Sequence, residues 1–509
     1  MKKWSYPLLT MLILVLVALG LSLSACSGNA QHENAAQNVP SEPDPSVTEL
    51  TILVSNETEL AALERYPSLR KLDLSGSLCY DAIDAYAARH PEVQVIYTLP
   101  LGPTACRSDT QSMSLSDGQY VPALLLQALP HLHGLQILEL PLTALDLDTI
   151  EQLAAAMPQG DLRFSRRFLD RELPGETVEI DLSELDMEQL QPALSVLSTL
   201  PRLQTLRLLR ADGSSPYTLE DALQIHAAAP DAFLDYRFTL FGRSVSTADE
   251  SLYYLDTPIG DEGLPLLRQA LTLMPNCKSV TLDDCGTSNE ATAALRDELA
   301  EQVKIVWRVH FGIFSDLTDT KIVHAVADEH HTKIDDEMCE VLRYCTETEY
   351  IDLGHDPLTT IEFCRYMPKL KMAILSYNPF SDLNPLADHE DLIFLEIFAC
   401  RRLDDLSPLA SCKNLRMLNI SYSTATDITP LYALEQLELF HAARTDIPRE
   451  QIDALQSRLP GCRITYDGSD IHEVGWRKVR EGQYYDWYLE IREIFGYSDP
   501  ESYSHKPGT

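Results

Sequence analysis

The sequence is poor in positive charge. It has 40 Lys and Arg residues against 77 Asp and Glu residues, which gives a formal net charge of −37 at pH 7. Proteins that bind DNA or RNA need a basic surface that neutralises phosphates, and electrostatic docking onto anionic lipid needs basic residues as well. The composition therefore argues against nucleic acid and anionic lipid as partners. It is typical of a solvated acidic surface, which favours solubility and attracts cations or basic partners.

The sequence also lacks the common catalytic patterns. It contains no G-x-x-x-x-G-K-[ST] phosphate loop, no G-x-S-x-G nucleophile elbow and no H-E-x-x-H zinc helix. The nearest metal-like cluster is His324 with Glu329, His330 and His331, but adjacent residues on a helix point about 100° apart and rarely ligate one ion. Pairs of acidic residues occur throughout so acidic a chain and carry no information about a glycosidase. We predict no catalytic residues, no cofactor and no metal, with an enzyme of unfamiliar site as an alternative.

Paired cysteines are absent too. None of the eleven cysteines forms a C-x-x-C pair, which argues against a zinc knuckle and against a thioredoxin-like site. Several cysteines fall at apolar repeat positions, and we predict that most of them are small core residues. Apart from Cys26 they are Cys79, Cys106, Cys277, Cys285, Cys339, Cys345, Cys364, Cys400, Cys412 and Cys462.

The N-terminus has the organisation of an export signal. Lys2 and Lys3 precede an apolar run over residues 8–19 that is broken only by Thr10, too short to span a bilayer comfortably and flanked as in signal peptides. The segment Leu-Ser-Ala-Cys that ends at Cys26 resembles the bacterial lipobox. That resemblance implies that Cys26 becomes the acylated first residue of the mature chain, and two acyl chains suffice for stable anchoring. An ordinary cleaved signal followed by a chance cysteine is the alternative.

We therefore predict a signal peptide over residues 1–25 and a lipid on Cys26 that holds the chain at the outer face of a bacterial cell membrane. Residues 26–48 have almost no large apolar side chains. Such a stretch cannot bury enough surface to offset its ordering entropy, so we predict a flexible tether.

A short repeat organises the second half of the chain. Five copies of L-x-x-L-x-L or a close variant end at successive positions separated by 22, 22, 23 and 19 residues. Between them a second pattern, Asp-Leu-x-Pro-Leu or Asp-Ile-x-Pro-Leu, recurs three times. The last positions of the five copies are Leu353, Leu375, Ile397, Ile420 and Leu439.

These two patterns resemble the internalin-type bacterial leucine-rich repeats, and the resemblance covers about 100 residues of this chain. It implies an α/β repeat solenoid, a horseshoe or arc with parallel strands on its concave face. It also implies that Asn378 and Cys400 are buried where the chain turns. Scaffolds of this class mostly bind other molecules.

The first half repeats less regularly. A pattern of Pro-x-Leu-x-x-Leu-x-Leu or a variant begins at Pro67, Pro130, Pro201 and Pro275. Three of these copies are followed by a helix-like stretch and then a second strand, so we predict a doubled unit of strand, helix, strand and loop. Two of the loops share a Phe-Gly pair. Each unit has an apolar face that only a stacked neighbour can bury.

We accordingly divide the chain into irregular long repeats over residues 49–320, regular repeats of about 22 residues over 321–465, and a C-terminal cap over 466–509. In the cap, apolar residues from Tyr484 to Phe495 recur at three- and four-residue spacing, which predicts an amphipathic helix. We expect it to cover an end of the solenoid, with an aromatic ligand site as the alternative.

Side chains alternate along a strand, so the x positions of the pattern should point away from the leucine core. Several of these positions carry aromatic residues or Met, which is more apolar than a solvated face should be and is typical of interaction sites. The alternative is that the tail or a loop covers them. The predicted partner-binding residues are Tyr350, Phe394, Glu396, Phe398, Asn419, Glu438 and Phe440.

The sequence as a whole predicts a lipid-anchored, cell-surface binding protein. Its ligand would be a protein or a glycan, and its only link to the membrane would be the lipid. A structural envelope protein, whose solenoid contacts neighbouring chains, is the main alternative.

Overall fold

The computed structural model describes residues 44–325, 333–466, 475–480 and 483–497. The predicted signal peptide, Cys26 and most of the predicted tether lie outside the described residues, as do Glu329, His330 and His331. No helix in the described ranges combines the length and the apolar character that a membrane span requires.

The chain divides into two compact units, which are described separately. Unit 1 comprises Met1–Thr177 with Ser195–Arg202, and unit 2 comprises Val178–Leu194 with Leu203–Thr509. This division lies well before residue 320, where we expected the repeats to change length, because compactness depends on contacts and not on repeat period.

Unit 1 has two sets of parallel strands, in the orders β1-β2-β3 and β6-β7-β8, and each set is followed by an antiparallel pair, β4-β5 or β8-β9. The strands are β1 (Glu49–Thr51), β2 (Lys71–Asp73), β3 (Gln94–Ile96), β4 (Thr98–Pro100), β5 (Ala105–Arg107), β6 (Ser112–Ser114), β7 (Ile137–Leu140), β8 (Asp161–Phe168) and β9 (Arg171–Pro174). The α-helices are α1 (Glu57–Ala61), α2 (Tyr80–Arg89), α3 (Pro122–Ala128) and α4 (Leu147–Ala155), with 3₁₀ helices at Ala62–Arg65 and Leu129–His131.

Unit 2 begins with two further sets of the same kind, β10-β11-β12 with the pair β13-β14, and β15-β16-β17 with β18. The strands are β10 (Glu179–Asp181), β11 (Thr205–Arg207), β12 (Phe233–Asp235), β13 (Arg237–Leu240), β14 (Arg243–Ser246), β15 (Ser251–Leu255), β16 (Ser279–Asp283), β17 (Lys304–Phe311) and β18 (Phe314–Leu317). The helices are α5 (Met187–Leu190), a 3₁₀ helix at Gln191–Ala193, α6 (Leu194–Leu197), at which the chain passes from one unit to the other, α7 (Leu219–Ala228), α8 (Gly260–Thr272) and α9 (Asn289–Glu298).

The long repeat is therefore tripled and not doubled, which corrects the prediction from the sequence. Each set contains a strand before the two that the pattern marked, and its central residue pairs in register with the marked leucine, as Leu50 does with Leu72 and Ile180 with Leu206. The first strand was missed because most of its copies are only three residues long, too short to show alternation. The Phe241-Gly242 pair forms the two-residue turn between β13 and β14, where both residues have positive φ.

The regular repeats form a seven-stranded parallel sheet in the chain order β19 to β25. Its strands are β19 (Ile322–His324), β20 (Tyr350–Asp352), β21 (Met372–Ile374), β22 (Phe394–Glu396), β23 (Met417–Asn419), β24 (Leu439–His441) and β25 (Arg463–Thr465). The connections use α10 (Asp336–Cys339), α11 (Arg449–Arg458) and 3₁₀ helices at Glu340–Tyr344, Glu362–Tyr366, Asn384–Leu386, Ser407–Ser411 and Thr429–Ala433. Short 3₁₀ connections explain why these repeats need only about 22 residues.

The pairing of the strands corrects the register of the fifth regular repeat. Leu418 lies opposite Phe440, and not opposite Leu437, three positions earlier, as the repeat pattern predicted. The residue two positions after each last core residue has positive φ, as Tyr377 and Tyr422 do, and Arg444 keeps this phase. The last core position is therefore Ala442 and not Leu439, which replaces the irregular interval of 19 residues by one of 22.

The main core lies on one side of the seven-stranded sheet. Its central column of strand residues is buried in all but the last strand, and consists of Val323, Ile351, Ala373, Leu395, Leu418, Phe440 and Ile464. Asn378 is buried and donates from Nδ2 to the carbonyl oxygens of Leu353 (2.7 Å) and Leu375 (3.0 Å), so it joins two repeats as expected. The parallel register, the stacked leucines and this asparagine establish an α/β leucine-rich-repeat fold.

The cysteines behave as the sequence predicted. All ten that follow Cys26 are free thiols, and eight of them are buried. Burial raises the pKa of Cys345 and of Cys400 to about 12, so these thiols stay protonated and act as small apolar side chains.

Candidate functional site

Four of the predicted partner-binding residues lie on the strand face opposite the leucine core, namely Tyr350, Phe394, Glu396 and Asn419. Phe398 lies just after β22 and Glu438 just before β24. Most of the seven residues are not accessible. Glu438 is exposed and Tyr350 is half-buried. The other five are at most 5% exposed, which contradicts the expectation of an open face. These five residues are Phe394, Glu396, Phe398, Asn419 and Phe440.

Two of these residues are buried for local reasons. Phe440 points into the leucine core, because it lies opposite the core residue Leu418 in the neighbouring strand. Phe398 lies between the rings of Tyr377 and Tyr422, with centroids 5.2 and 5.3 Å away. Neither side chain is placed to meet a partner.

Phe394 and Glu396 are covered by the C-terminal tail, a name used here for residues 475–480 and 483–497. Asn419 is buried and accepts a hydrogen bond from the main-chain N–H of Ser421 at 3.0 Å. The tail contains β26 (Lys478–Arg480), β27 (Gln483–Tyr484) and α12 (Asp486–Ile494). Its apolar side chains form a second core with the outward residues of the sheet, separate from the leucine core. The buried members are Met372, Ile374, Phe394, Leu439, Trp476, Ile491 and Phe495.

The amphipathic helix predicted near the C-terminus is thus present, but it covers the strand face and not an end of the sheet. The first outward column of the sheet is almost entirely apolar, with Tyr350, Met372, Phe394, Met417 and Leu439 in successive strands. Such a stripe is too apolar to face water. Of the two alternatives from the sequence, an exposed binding face or a face covered by the tail or a loop, the structure shows a face covered by the tail.

Glu396 is the centre of a polar network beneath the tail. Its carboxylate is 3% exposed and accepts hydrogen bonds from the Trp476 indole, from Arg477 Nη2 at 2.7 Å and from Ser376 Oγ at 3.1 Å. Burial alone raises the pKa of this carboxyl, but the charge of Arg477 and the three hydrogen bonds outweigh burial and lower it. Glu396 is therefore ionised and depends on the tail for its counter-charge.

Two other residues of the outward column that contains Glu396 are also buried, each two strands away from it. Asp352 accepts a hydrogen bond from the Tyr497 hydroxyl, and burial, reinforced by the charge of Glu396, raises the pKa of Asp352 to about 6. His441 Nδ1 lies 2.9 Å from Ser421 Oγ, and burial lowers the pKa of His441 to about 4. Apart from Ile374, this column therefore carries polar side chains that are held away from water.

A different strand face of unit 2, that of β15–β17, is exposed along β15. Tyr253 and Leu255 point outward from β15 and keep 50% and 53% of their surfaces exposed. The Tyr253 hydroxyl donates to the buried Asp283 at 2.9 Å, and Arg308 forms a bidentate pair with the same carboxylate. The hydrogen bonds from Arg308 lower the pKa of Asp283. Tyr253 is therefore held in place by an ionised, buried anchor while its ring remains available.

Unit 1 contains a cluster of acid, histidine and tyrosine that the sequence analysis did not identify. Asp84 accepts from the Tyr97 hydroxyl and lies 2.7 Å from His131 Nδ1 and 3.2 Å from His133 Nε2. These groups come from α2, the residue after β3 and the turn that begins at the 3₁₀ helix Leu129–His131. The cluster joins the first set of strands to the second, since His131 and His133 lie between β6 and β7. Among the described residues no hydroxyl or thiol nucleophile is hydrogen-bonded to either histidine.

A cavity of about 400 Å³ lies beside the end of α12, where Asp316, His324, Glu493 and Phe495 contribute to its lining. Burial raises the pKa of Asp316 to about 6 and lowers the pKa of His324. The ring of His324 meets Phe495 edge-on at 6.2 Å. The part of the chain that the structure describes contains no group of three or more side chains arranged to hold a metal ion.

The open face on β15–β17 escaped the sequence analysis because β15 precedes the strand that the proline pattern marks. Alternation of exposed Tyr253 and Leu255 with buried Leu252 and Tyr254 is the signal that could have found it. For the tail, by contrast, no sequence signal connects Trp476 and Arg477 with Glu396, which lies 80 residues earlier.

Comparison with known proteins yields structural similarities only. No family model and no curated protein matches the sequence. An internalin from Listeria monocytogenes is 14% identical over 84% of this chain and 83% of its own, with a TM-score of 0.24. A leucine-rich-repeat protein from Leptospira interrogans is 15% identical over 80% of this chain and 92% of its own, with a TM-score of 0.27.

The receptor TLR13, in a complex with single-stranded RNA, is 15% identical over 82% of this chain and 48% of its own, with a TM-score of 0.23. Scores this low carry no argument about function. The assignment of the fold therefore depends on the strand register and the buried leucines of the chain itself.

Proposed function

We propose that this chain is a lipid-anchored surface protein that binds another protein through the open strand face of β15–β17. The observation that carries the proposal is the exposure of Tyr253 and Leu255 beside the fixed Asp283–Arg308 pair. Tyr and Arg are enriched among the residues that dominate binding energy at interfaces. A tyrosine whose hydroxyl is already held loses little further conformational freedom when a partner docks on its ring.

The chemistry of the chain favours a protein over other partners. The net charge of −37 argues against RNA, although one structurally similar chain was solved with RNA. On the strands that follow, the pair of His310 Nε2 and Asp284 Oδ1, 2.7 Å apart, adds polar groups to the apolar Tyr253 and Leu255. An apolar centre with a polar rim is the arrangement of protein interfaces.

We expect the double substitution Tyr253→Ala and Leu255→Ala to weaken partner capture by about 30-fold or more, since one central aromatic often contributes about 2 kcal/mol. The measurement is affinity capture of envelope proteins by the full chain, followed by titration of the captured protein, with a glycan array run in parallel. The matched control is Ile313→Ala, an apolar residue that is 67% exposed outside these three strands. Equal capture by the double variant and the control, or binding to glycans alone, would refute the proposal.

We further propose that Cys26 carries the lipid that holds the chain at the cell surface. Only the Leu-Ser-Ala-Cys segment and the apolar run before it support this step. Replacing Cys26 by Ser should release the protein from the membrane fraction or leave an uncleaved precursor, because no acyl chain can then be attached. Membrane partition and electrophoretic mobility identical to those of the wild type would show that Cys26 is not the anchor.

A further inference from the structure

The contact between the tail and the strand face has the composition of an interface between separate proteins. The tail contributes Trp476, Trp487 and Tyr497 together with Arg477 and Arg492. Aromatic residues and Arg are enriched at protein interfaces. The leucine core on the other side of the same sheet contains mainly aliphatic side chains in its central column.

In the part of the chain that the structure describes, every hydrogen bond between the tail and the sheet involves at least one side chain. Within the described ranges, no main-chain hydrogen bond joins the tail to β19–β25, and β26 and β27 pair only with each other. Arg463 reaches the tail through its guanidinium, which donates from Nη2 to the carbonyl oxygen of Gly475 at 3.4 Å. The tail can therefore leave without breaking any backbone pairing of the repeats.

The same contact leaves several buried polar atoms without a partner among the described residues. They are Nε of Arg477, Nε and Nη2 of Arg492, and Nε2 of His441. Each buried unsatisfied group costs free energy relative to its hydrated state. These atoms reduce the free energy that is gained when the tail docks.

The recognition chemistry centres on one carboxylate. Glu396 Oε2 accepts from the indole of Trp476, and Glu396 Oε1 accepts from the guanidinium of Arg477, the next residue. The Trp476 ring packs against Phe394 with centroids 5.3 Å apart. A buried carboxylate beside an aromatic ring thus selects an indole and a guanidinium on consecutive residues.

We propose that the strand face of β20–β24 is a binding site for a protein segment that presents Trp followed by Arg, and that the tail is an exchangeable occupant of this site. The inference goes beyond the proposed function, because it concerns a different strand face. A partner with this pair of residues displaces the tail by meeting Glu396 in the same way.

The test uses the full chain and a fluorescein-labelled synthetic peptide with the sequence of residues 475–497. We expect saturable binding measured by fluorescence anisotropy, with displacement by unlabelled peptide. A peptide with Ala in place of both Trp476 and Arg477 should bind at least about 30-fold more weakly. In a chain whose own tail carries Trp476→Ala and Arg477→Ala, so that the tail no longer competes through Glu396, the further change Glu396→Gln should weaken binding about tenfold or more. Glu438→Gln, at an exposed residue next to the same sheet, should not.

A full chain whose own tail carries Trp476→Ala and Arg477→Ala should bind the wild-type peptide more tightly than the wild-type chain does, because its occupant is weaker. If only this variant binds the peptide, the tail is a permanent cover and exchange is wrong. If neither chain binds it, the face is not a peptide site. A concentration-dependent dimer that Glu396→Gln abolishes would identify a second copy as the occupant and overturn the assignment to a foreign segment. The Tyr253→Ala and Leu255→Ala variant should still bind the peptide, which separates this site from the proposed function.

Discussion

Replacing Phe440 by Ala should lower the free energy of unfolding by about 3–5 kcal/mol, the usual range for a buried aromatic side chain. Phe440 is 0% exposed and lies in the core column between Leu418 and Ile464. Removing its ring leaves a cavity between stacked repeats, which gain their stability from contact with their neighbours. Urea denaturation followed by circular dichroism measures the effect.

The preceding residue is the matched control. Leu439 is also buried, but it packs against the tail on the other side of the sheet. Leu439→Ala should therefore change the fluorescence of Trp476 and Trp487 and loosen the tail, with a smaller loss in the unfolding of the repeats. If the two variants exchange these behaviours, the strand has the register first predicted from the sequence.

Replacing Arg477 by Leu should destabilise the docked tail by about 2–3 kcal/mol. Removing one partner of a buried ion pair typically costs about 3–5 kcal/mol, and the expected loss is smaller here because Arg477 keeps 38% of its side chain exposed to water. The variant leaves the carboxylate of Glu396 buried without a counter-charge. The change in fluorescence of Trp476 during thermal denaturation reports the loss of the tail contact.

The stability of the docked tail should depend on pH in opposite directions in the wild type and in the Arg477→Leu variant. In the wild type the pKa of Glu396 is held below its ordinary value of 4.5, so its contribution to stability is present above pH 4.5 and is lost as the pH falls through the lowered pKa. Without Arg477, burial dominates and the pKa of Glu396 rises, so the variant should be least stable at neutral pH and recover towards pH 4.

A matched control for the ion pair lies on the same side of the molecule. Arg416 is 2.6 Å from Glu438, and both side chains are more than half exposed. Arg416→Leu should change stability by at most about 1 kcal/mol, without a pH dependence around pH 4.5. If Arg416→Leu lowers stability as much as Arg477→Leu does, the burial of Glu396 is not the reason that its ion pair contributes to stability.

The regular repeats show which positions a repeat pattern can predict and which it cannot. The spacing of leucines identified four of the five core positions in the regular strands and missed the fifth, because Leu437 and Leu439 imitate the L-x-L pattern three residues before the true core pair, Phe440 and Ala442. The apolar outward column, with Met372 and Phe394, correctly indicated a surface that needs a cover. It could not indicate whether a partner or the chain itself supplies that cover.

The sequence by itself determined the leucine-rich-repeat fold, the period of the regular repeats, the role of Asn378 and the helix in the tail. These are properties of neighbouring residues, because periodicity and stacking act over one or two repeats. Only the tertiary structure decided that the tail lies on the strand face, that Glu396 meets Trp476 and Arg477, and that Tyr253 remains exposed. Those outcomes depend on contacts between residues distant in the chain, which side-chain packing and charge pairing select and no local pattern records.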